Sequence, residues 1–429
     1  MTPHDDWAFP PLPHVEAELA NGLRVVAVQA PSVPLTEIRL RLPLDPGRTD
    51  PATAQVLATT LLPGPLVGGA ETSFSAEADG RAITVAGTVS SGARAAAMDA
   101  LPAALTAPRY AEETCRVTAR ALASRAGLLR ANPTALALEQ LRAHLHGDGY
   151  RSLLPDEHAF VAVTVDAVTR LHTTALAPDR ALLLLVGALN PERALREVAA
   201  TWSTWPSTDT RPTPTHPTVS TRGHPRPGLR FVPRPGAEQS QILLAAPVPG
   251  PADPRFPAVA LACCVLGGSF SARLAAALRD RSGLAYQVQA TLAEHAGDRV
   301  VLVQADTATG TTEAAVRALR AELRRLRDEP PTREEIDSAR AFVVGTVLRT
   351  AASQAGLADH LAGALEHGSV PEALHGFVAA LSHTDEAAVL AAVSTVLAPE
   401  RFTGVIVGDP SAETLEQNDH FWRSLPHSG

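Results

Sequence analysis

The chain repeats itself. Leu176-Ala177-Pro178-Asp179-Arg180 returns as Leu397-Ala398-Pro399-Glu400-Arg401, an offset of 397 − 176 = 221 residues. Each copy runs into an apolar stretch and a glycine, Leu183 to Gly187 and Val405 to Gly408, and 408 − 187 is again 221. Upstream, Glu112-Glu113 and Glu334-Glu335 stand 222 apart. Each pair follows a proline-bearing turn (Pro108; Pro330-Pro331) and opens an Ala-rich helical stretch. Three matches in near-constant register mark two homologous halves, and a repeat of this length decides the architecture before any local pattern is read.

The division that follows is 1–205, a linker at 206–228, and 229–429. The linker region from Ser203 to Gly228 is dense in Pro and Thr. Proline removes backbone donors and stiffens a chain toward extended conformations, so the segment reads as a semi-rigid surface connection. Inside the halves, strands and helices alternate. Ile38, Leu40 and Leu42 interleave with Glu37, Arg39 and Arg41, the period of a half-buried strand. Ile83, Val85 and Val89 read alike, with Gly87 in the apolar phase. Gln241–Pro247 and Arg299–Ala305 are further strand candidates. Val316, Leu319, Leu323 and Leu326 form a helical stripe, with Arg317, Arg320, Arg324 and Arg325 assigned to the wet side. The expected fold is α+β: two homologous α/β sandwich halves.

Bulk properties narrow the function. At 429 residues the chain can bury a large core, and its net charge is −8. No Lys occurs, so all 37 basic residues are Arg. Nucleic acid and anionic membrane both reward clustered positive charge, and neither is expected as a partner. The first residues, with Asp5 and Asp6, lack the basic start and apolar run of a secretory signal. No apolar stretch is long enough to span a bilayer. Cys115, Cys263 and Cys264 are an odd set, read as small core thiols in a reducing compartment. The expected location is cytoplasmic.

One segment of the second half has a distinct make-up. Gly267-Gly268-Ser269-Phe270-Ser271-Ala272-Arg273-Leu274 runs into Leu278-Arg279-Asp280-Arg281-Ser282-Gly283-Leu284-Ala285-Tyr286. The first glycines allow a tight turn, and Ser269 or Ser271 can cap a helix start. Phe270, Leu274 and Leu278 form a stripe expected to be buried. Gly283 ends the helix in a left-handed residue, and Tyr286 opens a strand. In the first half, Asn21-Gly22 precedes a strand from Leu23. A second strand follows at Ile38–Leu42, then Gly47-Arg48, then a helix over Ala52–Leu62.

This layout, from about Leu19 to Pro410, resembles the insulinase (pitrilysin-type, inverzincin) family of zinc metallopeptidases, in its short-chain, two-subunit branch. Members carry H-x-x-E-H on a helix of the first half. Two His four residues apart share a helix face and bind zinc, and the Glu between them takes a proton from bound water. The resemblance puts the first His at Gln55, the Glu at Ala58 and the second His at Thr59. The distal Glu ligand should fall near Ser124–Leu129, and no acidic residue occurs between Glu113 and Glu139. The chain therefore resembles a non-zinc-binding subunit, with no metal of its own and zinc expected in a partner. His144 and His146, read as sharing one side of a strand, and His360 with His367, two helical turns apart, have no obvious third ligand. Surface or hydrogen-bonded histidines are the simpler reading of both pairs.

What the resemblance implies for the second half is positive. Arg279 and Tyr286 match an Arg/Tyr pair that reaches the zinc site of the facing half-molecule, grips substrate backbone and helps stabilise the tetrahedral intermediate. Gly267, Gly268 and Ser269 are counted with them as substrate-binding. Guanidinium and phenol are donors, and donors aimed at a developing oxyanion are a large catalytic term. The alternative for Arg279 is a solvated helix arginine, and for Tyr286 a strand aromatic packed on the core. Arg273 and Arg281 are weaker candidates, read as structural or solvent-facing. The expected assembly is a heterodimer with a homologous zinc-binding subunit that cleaves peptides, with leader peptides of ribosomally made natural products as one possibility by analogy. The alternative is a purely structural or peptide-binding inactive homologue in a larger assembly. An active homodimer with an improvised metal site is a third reading.

Overall fold

A computed structural model describes residues 11–62, 73–107, 109–147, 150, 152–207, 228–295, 298–365, 370 and 375–409. Most of the predicted linker, together with Pro108 and His367, lies outside them.

The first half contains strands β1 (His14–Glu18), β2 (Arg24–Gln29), β3 (Leu35–Pro43), β4 (Ser73–Ala78), β5 (Ala82–Ser90) and β6 (Leu182–Gly187). Its helices are α1 (Pro51–Leu61), α2 (Arg94–Thr106), α3 (Glu112–Ala131), α4 (Pro133–His146), α5 (Glu157–Val161), α6 (Val165–Ala175) and α7 (Pro191–Trp202). The second half contains β7 (Leu229–Pro233), β8 (Gln239–Pro247), β9 (Ala285–His295), β10 (Asp298–Ala308) and β11 (Thr403–Gly408). Its main helices are α8 (Phe256–Cys263), α9 (Thr312–Asp328), α10 (Arg333–Ala351) and α11 (Gln354–Ala364). The content is α+β, in two sheets.

The sheets share a plan. The first runs β1-β2-β6-β3-β5-β4 and the second β7-β11-β8-β10-β9. In each, the strand after the repeated Pro-Asp/Glu-Arg turn sits inside the sheet, parallel to one neighbour and antiparallel to the other. Those strands, β6 and β11, are buried at every residue. Unbroken apolar runs mean that both faces are covered.

One face of each sheet is covered by its own half. Ile38, Leu40, Leu183 and Leu185 join Val56 and Leu57 of α1 and Val198 of α7. Ile242, Leu244, Val301 and Val303 join Val259 and Leu261 of α8 and Leu319 and Leu323 of α9. The other face is covered by the opposite half. Val26, Val28, Leu184 and Val186 pack against Leu357, Ala358 and Leu361 of α11. Reciprocally, Leu243, Ala245, Leu302 and Val405 pack against Ala137, Leu141 and Leu145 of α4. Helices α4 and α11 begin at 133 and 354, and 354 − 133 = 221. The repeat thus exchanges one helix in each direction.

That exchange overturns two local expectations. Glu37 and Arg39 are buried rather than wet, because α11 lies over them. The guanidinium of Arg39 donates through Nε to Asp359 Oδ1 of α11 at 2.7 Å and through Nη1 to Glu37 Oε2 at 3.1 Å. His144 and His146 are on a helix, not a strand, and both are buried. His144 Nε2 is 2.7 Å from Thr403 Oγ1 of the opposite half, and His146 stacks on Tyr150. A separate correction concerns α9: its apolar stripe is buried as expected, but Arg320 is only 1% exposed.

Candidate functional site

The first half offers the frame of a metal site without its ligands. Asp50 caps α1, accepting from Thr53 N at 2.8 Å, with Pro51 at the first position. The helix packs against α3 and the edge strand β4. Gln55 Nε2 donates to Leu153 O at 3.0 Å, and the Thr59 hydroxyl donates back to Gln55 O at 2.8 Å. Ala58 is buried against the core. An amide turned to a loop, a methyl and a hydroxyl occupied by its own helix do not form a zinc cage. No group of three His, Cys, Asp or Glu placed to hold a metal occurs among the described residues. The residues do not fit the metal that the family resemblance brings to mind.

The second half presents a different surface. After α8 the chain winds through a π-helical turn at Cys264–Gly268, crosses an exposed corner, and winds again as a π-helix over Ala275–Arg281. Such windings are rare and concentrate at functional sites. Gly267 is required by close approach: a Cβ there would lie 2.6 Å from Ala290 N of β9. Gly283, at φ +60°, closes the second winding. Gly283 N donates to Arg279 O at 3.2 Å, the bond of a left-handed cap, and Leu284 N donates to Leu278 O at 2.8 Å. No side-chain cap by Ser269 or Ser271 forms at this helix.

Leu274 and Leu278 are buried as expected, but Phe270 is 82% exposed. The helical phase begins only after the corner at 269–272, so Phe270 is not part of the stripe. Its ring instead carries Arg279, whose guanidinium carbon lies 3.7 Å from the ring centroid. Arg279 Nη2 donates to Phe270 O at 2.9 Å, and Nε donates to Asp280 Oδ1 at 2.8 Å. That hydrogen bond holds the Asp280 carboxyl below its ordinary range. Tyr286 stands at the start of β9, the sheet-edge strand, 92% exposed. A core-packed Tyr286 is therefore ruled out, and Arg279 is fixed rather than freely solvated. Phe270 is the site residue that sequence reasoning assigned to the core. Its place between two glycines and the helix start was the available signal.

The neighbouring arginines are ion-paired within the chain. Arg273 makes a two-point pair with Glu335, at 2.7 and 2.8 Å, and donates to Glu329 O. Arg281 bonds Glu322 at 3.1 Å. Gly268 lies against Cys264, and Ser269 occupies the corner before Phe270. All three cysteines are buried and unbridged, and burial pushes the Cys264 thiol up to about 11. A cleft of about 240 Å³ opens elsewhere, between the first sheet and α11, lined by Arg39, Arg41, Thr84 and Asp359. Among the described residues no helix is long and apolar enough to cross a membrane.

Residues 162–343 match the family described as "Peptidase M16 inactive domain". No curated protein matches the chain in sequence. Solved structures share the fold over nearly its whole length. A protease from Helicobacter pylori is 15% identical, with a TM-score of 0.82, over 92% of this chain and all of that one. A peptidase M16 inactive domain from Pseudomonas fluorescens is 20% identical, TM-score 0.79, covering 93% and 99%. A chain of Complex III2 from Candida albicans is 12% identical, TM-score 0.76, covering 92% and 95%.

Proposed function

From the premise that this chain is an insulinase-type (M16) homologue, matched by that family's inactive-domain model, we propose that it is the non-zinc-binding subunit of a heterodimeric metallopeptidase. Its partner would be a homologous chain carrying H-x-x-E-H and the metal. This chain would contribute Arg279 and Tyr286 as donors to a peptide held in the partner's site. The observation that carries the reading is a contrast between the halves. The metal-site positions hold Gln55, Ala58 and Thr59, while Arg279 is partly exposed with Nε and Nη2 bonded locally and Tyr286 stands 92% exposed.

The chemistry asked of these two residues is hydrogen bonding. A guanidinium and a phenol on rigid elements can grip a backbone carbonyl and the oxyanion that develops from it. The substrate class is peptides. Leader-peptide removal is a narrower form of the proposal, by analogy alone. A cytoplasmic location goes with it, supported by three buried, unbridged thiols.

The test is cleavage of a peptide by the zinc-bearing subunit with and without this chain. Arg279→Ala is expected to lower kcat/KM by about a hundredfold, the size of losing a transition-state donor. Tyr286→Phe should follow in the same direction. If both variants cleave at the wild-type rate, the role is wrong. The second reading, a structural or peptide-binding subunit, is favoured by the likeness to a chain of a multi-subunit complex. It predicts unchanged rates in both variants but loss of the assembly when the chain is omitted.

A further inference from the structure

We propose that Phe270 is the positioning residue for Arg279: it fixes the plane of the guanidinium so that Nη1 is left pointing free as the donor for a substrate carbonyl. This rests on the proposed function for its consequence, but its geometry stands without it.

Three close contacts hold the guanidinium, each on a different part, with a longer one from Nη2 to Asp280 Oδ2 at 3.5 Å beside them. Nε donates to Asp280 Oδ1 at 2.8 Å. Nη2 donates to the carbonyl of Phe270 at 2.9 Å. The plane is carried by the Phe270 ring, 3.7 Å from its centroid. A planar fork pinned at two nitrogens and one face has no remaining freedom to turn. Nη1 makes no hydrogen bond among the described residues. Phe270 therefore supplies two of the three close restraints, and neither of them uses Nη1.

Ordinary packing does not account for the residue. Phe270 is 82% exposed, so it adds little to the core, whereas Leu274 and Leu278 on the following helix are fully buried. The ring offers a π face with negative potential, which a leucine of similar bulk lacks. The two π-wound segments on either side set the corner from which both the ring and the carbonyl of Phe270 reach Arg279. Tyr286 has no comparable support, and its hydroxyl makes no hydrogen bond among the described residues. The pair is thus one fixed donor and one adjustable donor.

The experiment uses the full chain labelled with ¹⁵N-arginine. The Arg279→Ala variant identifies the Arg279 Nε–H signal, and its relaxation reports how tightly the guanidinium is held. Phe270→Leu should make that group mobile, while Phe270→Trp, which keeps a π face, should leave it rigid. Melting should be unaffected in both, because the ring is exposed. With the zinc-bearing subunit added, Phe270→Leu should lower kcat/KM by about fivefold, the worth of an exposed cation–π contact, and Phe270→Trp should restore it. A guanidinium as rigid in the Leu variant as in the wild type overturns the inference, since Asp280 and the backbone carbonyl at position 270 would then suffice without the ring. So does a wild-type rate in the Leu variant where Arg279→Ala is inactive. If Arg279→Ala itself cleaves normally, the proposed function fails, and the relaxation result alone decides the role of Phe270.

Discussion

Asn132 and Ser353, 221 residues apart, do the same work: each caps the helix that crosses to the opposite half's sheet. Asn132 Oδ1 accepts from Ala135 N at 3.0 Å, and Ser353 Oγ accepts from Gly356 N at 3.0 Å. Removing either cap leaves a helix-end donor unmet. Asn132→Ala and Ser353→Ala are each expected to cost about 1 kcal/mol of stability by denaturant unfolding. The two sites share no partner, so the double variant should add the losses. A double variant as stable as wild type would deny the caps that role.

The crossing helices are expected to join the halves into one unfolding unit. Leu141 of α4 and Leu361 of α11 are fully buried on the opposite sheets. Truncation to Ala at either site should cost about 2–5 kcal/mol through lost transfer energy and the cavity left behind. Each substitution should destabilise both halves together, seen as a single calorimetric transition that moves as a whole. Two separated transitions in the wild-type chain would refute this.

Gly267 is held by crowding, not by its dihedral angles. Its Cβ would sit 2.6 Å from Ala290 N and 2.8 Å from Ala290 Cβ. Gly267→Ala is expected to destabilise by about 1–3 kcal/mol, as overpacking does. Thermal melting of the variant gives the value directly, and an unchanged midpoint would contradict the close approach.

His172 should make the fold sensitive to acid. Its Nε2–H donates to Leu105 O at 2.7 Å, which leaves Nδ1 to accept from the Tyr110 hydroxyl at 2.5 Å. Burial lowers the pKa of His172 from its ordinary value, offset in part by the bond to Leu105. The native state thus binds this proton less readily than the unfolded chain. The contribution is present above the unfolded value of about 6.5 and is lost as pH falls from there through the folded pKa. An NMR titration, assigned with His172→Gln, should place the midpoint below that of an unfolded histidine. A midpoint at or above it would show the ring is not held neutral.

The repeat, the strands and the position of α1 were legible because each is a local pattern recurring at a fixed spacing. The motif brings Arg279 and Tyr286 forward as candidates, and the surface placement of Tyr286 comes from the structure. Burial of Glu37 and Arg39 was not, because the helix that covers them is 320 residues further along. No periodicity in β3 records that distant partner. His144 and His146 were misread for the same reason: alternation of two residues looks like a strand when the covering sheet is in the other half. Phe270 escapes the stripe with Leu274 and Leu278 because the helix begins only at Arg273. The corner that breaks the phase is what frees the ring to meet Arg279.

The exchange of α4 and α11 also bears on how such a chain can arise. A polypeptide holding one repeat would have to borrow its missing helix from a second molecule. Two such molecules, each lending the other a helix about a two-fold axis, would already possess this architecture. Fusing their genes end to end would then require no new contact, and would free the two copies to diverge.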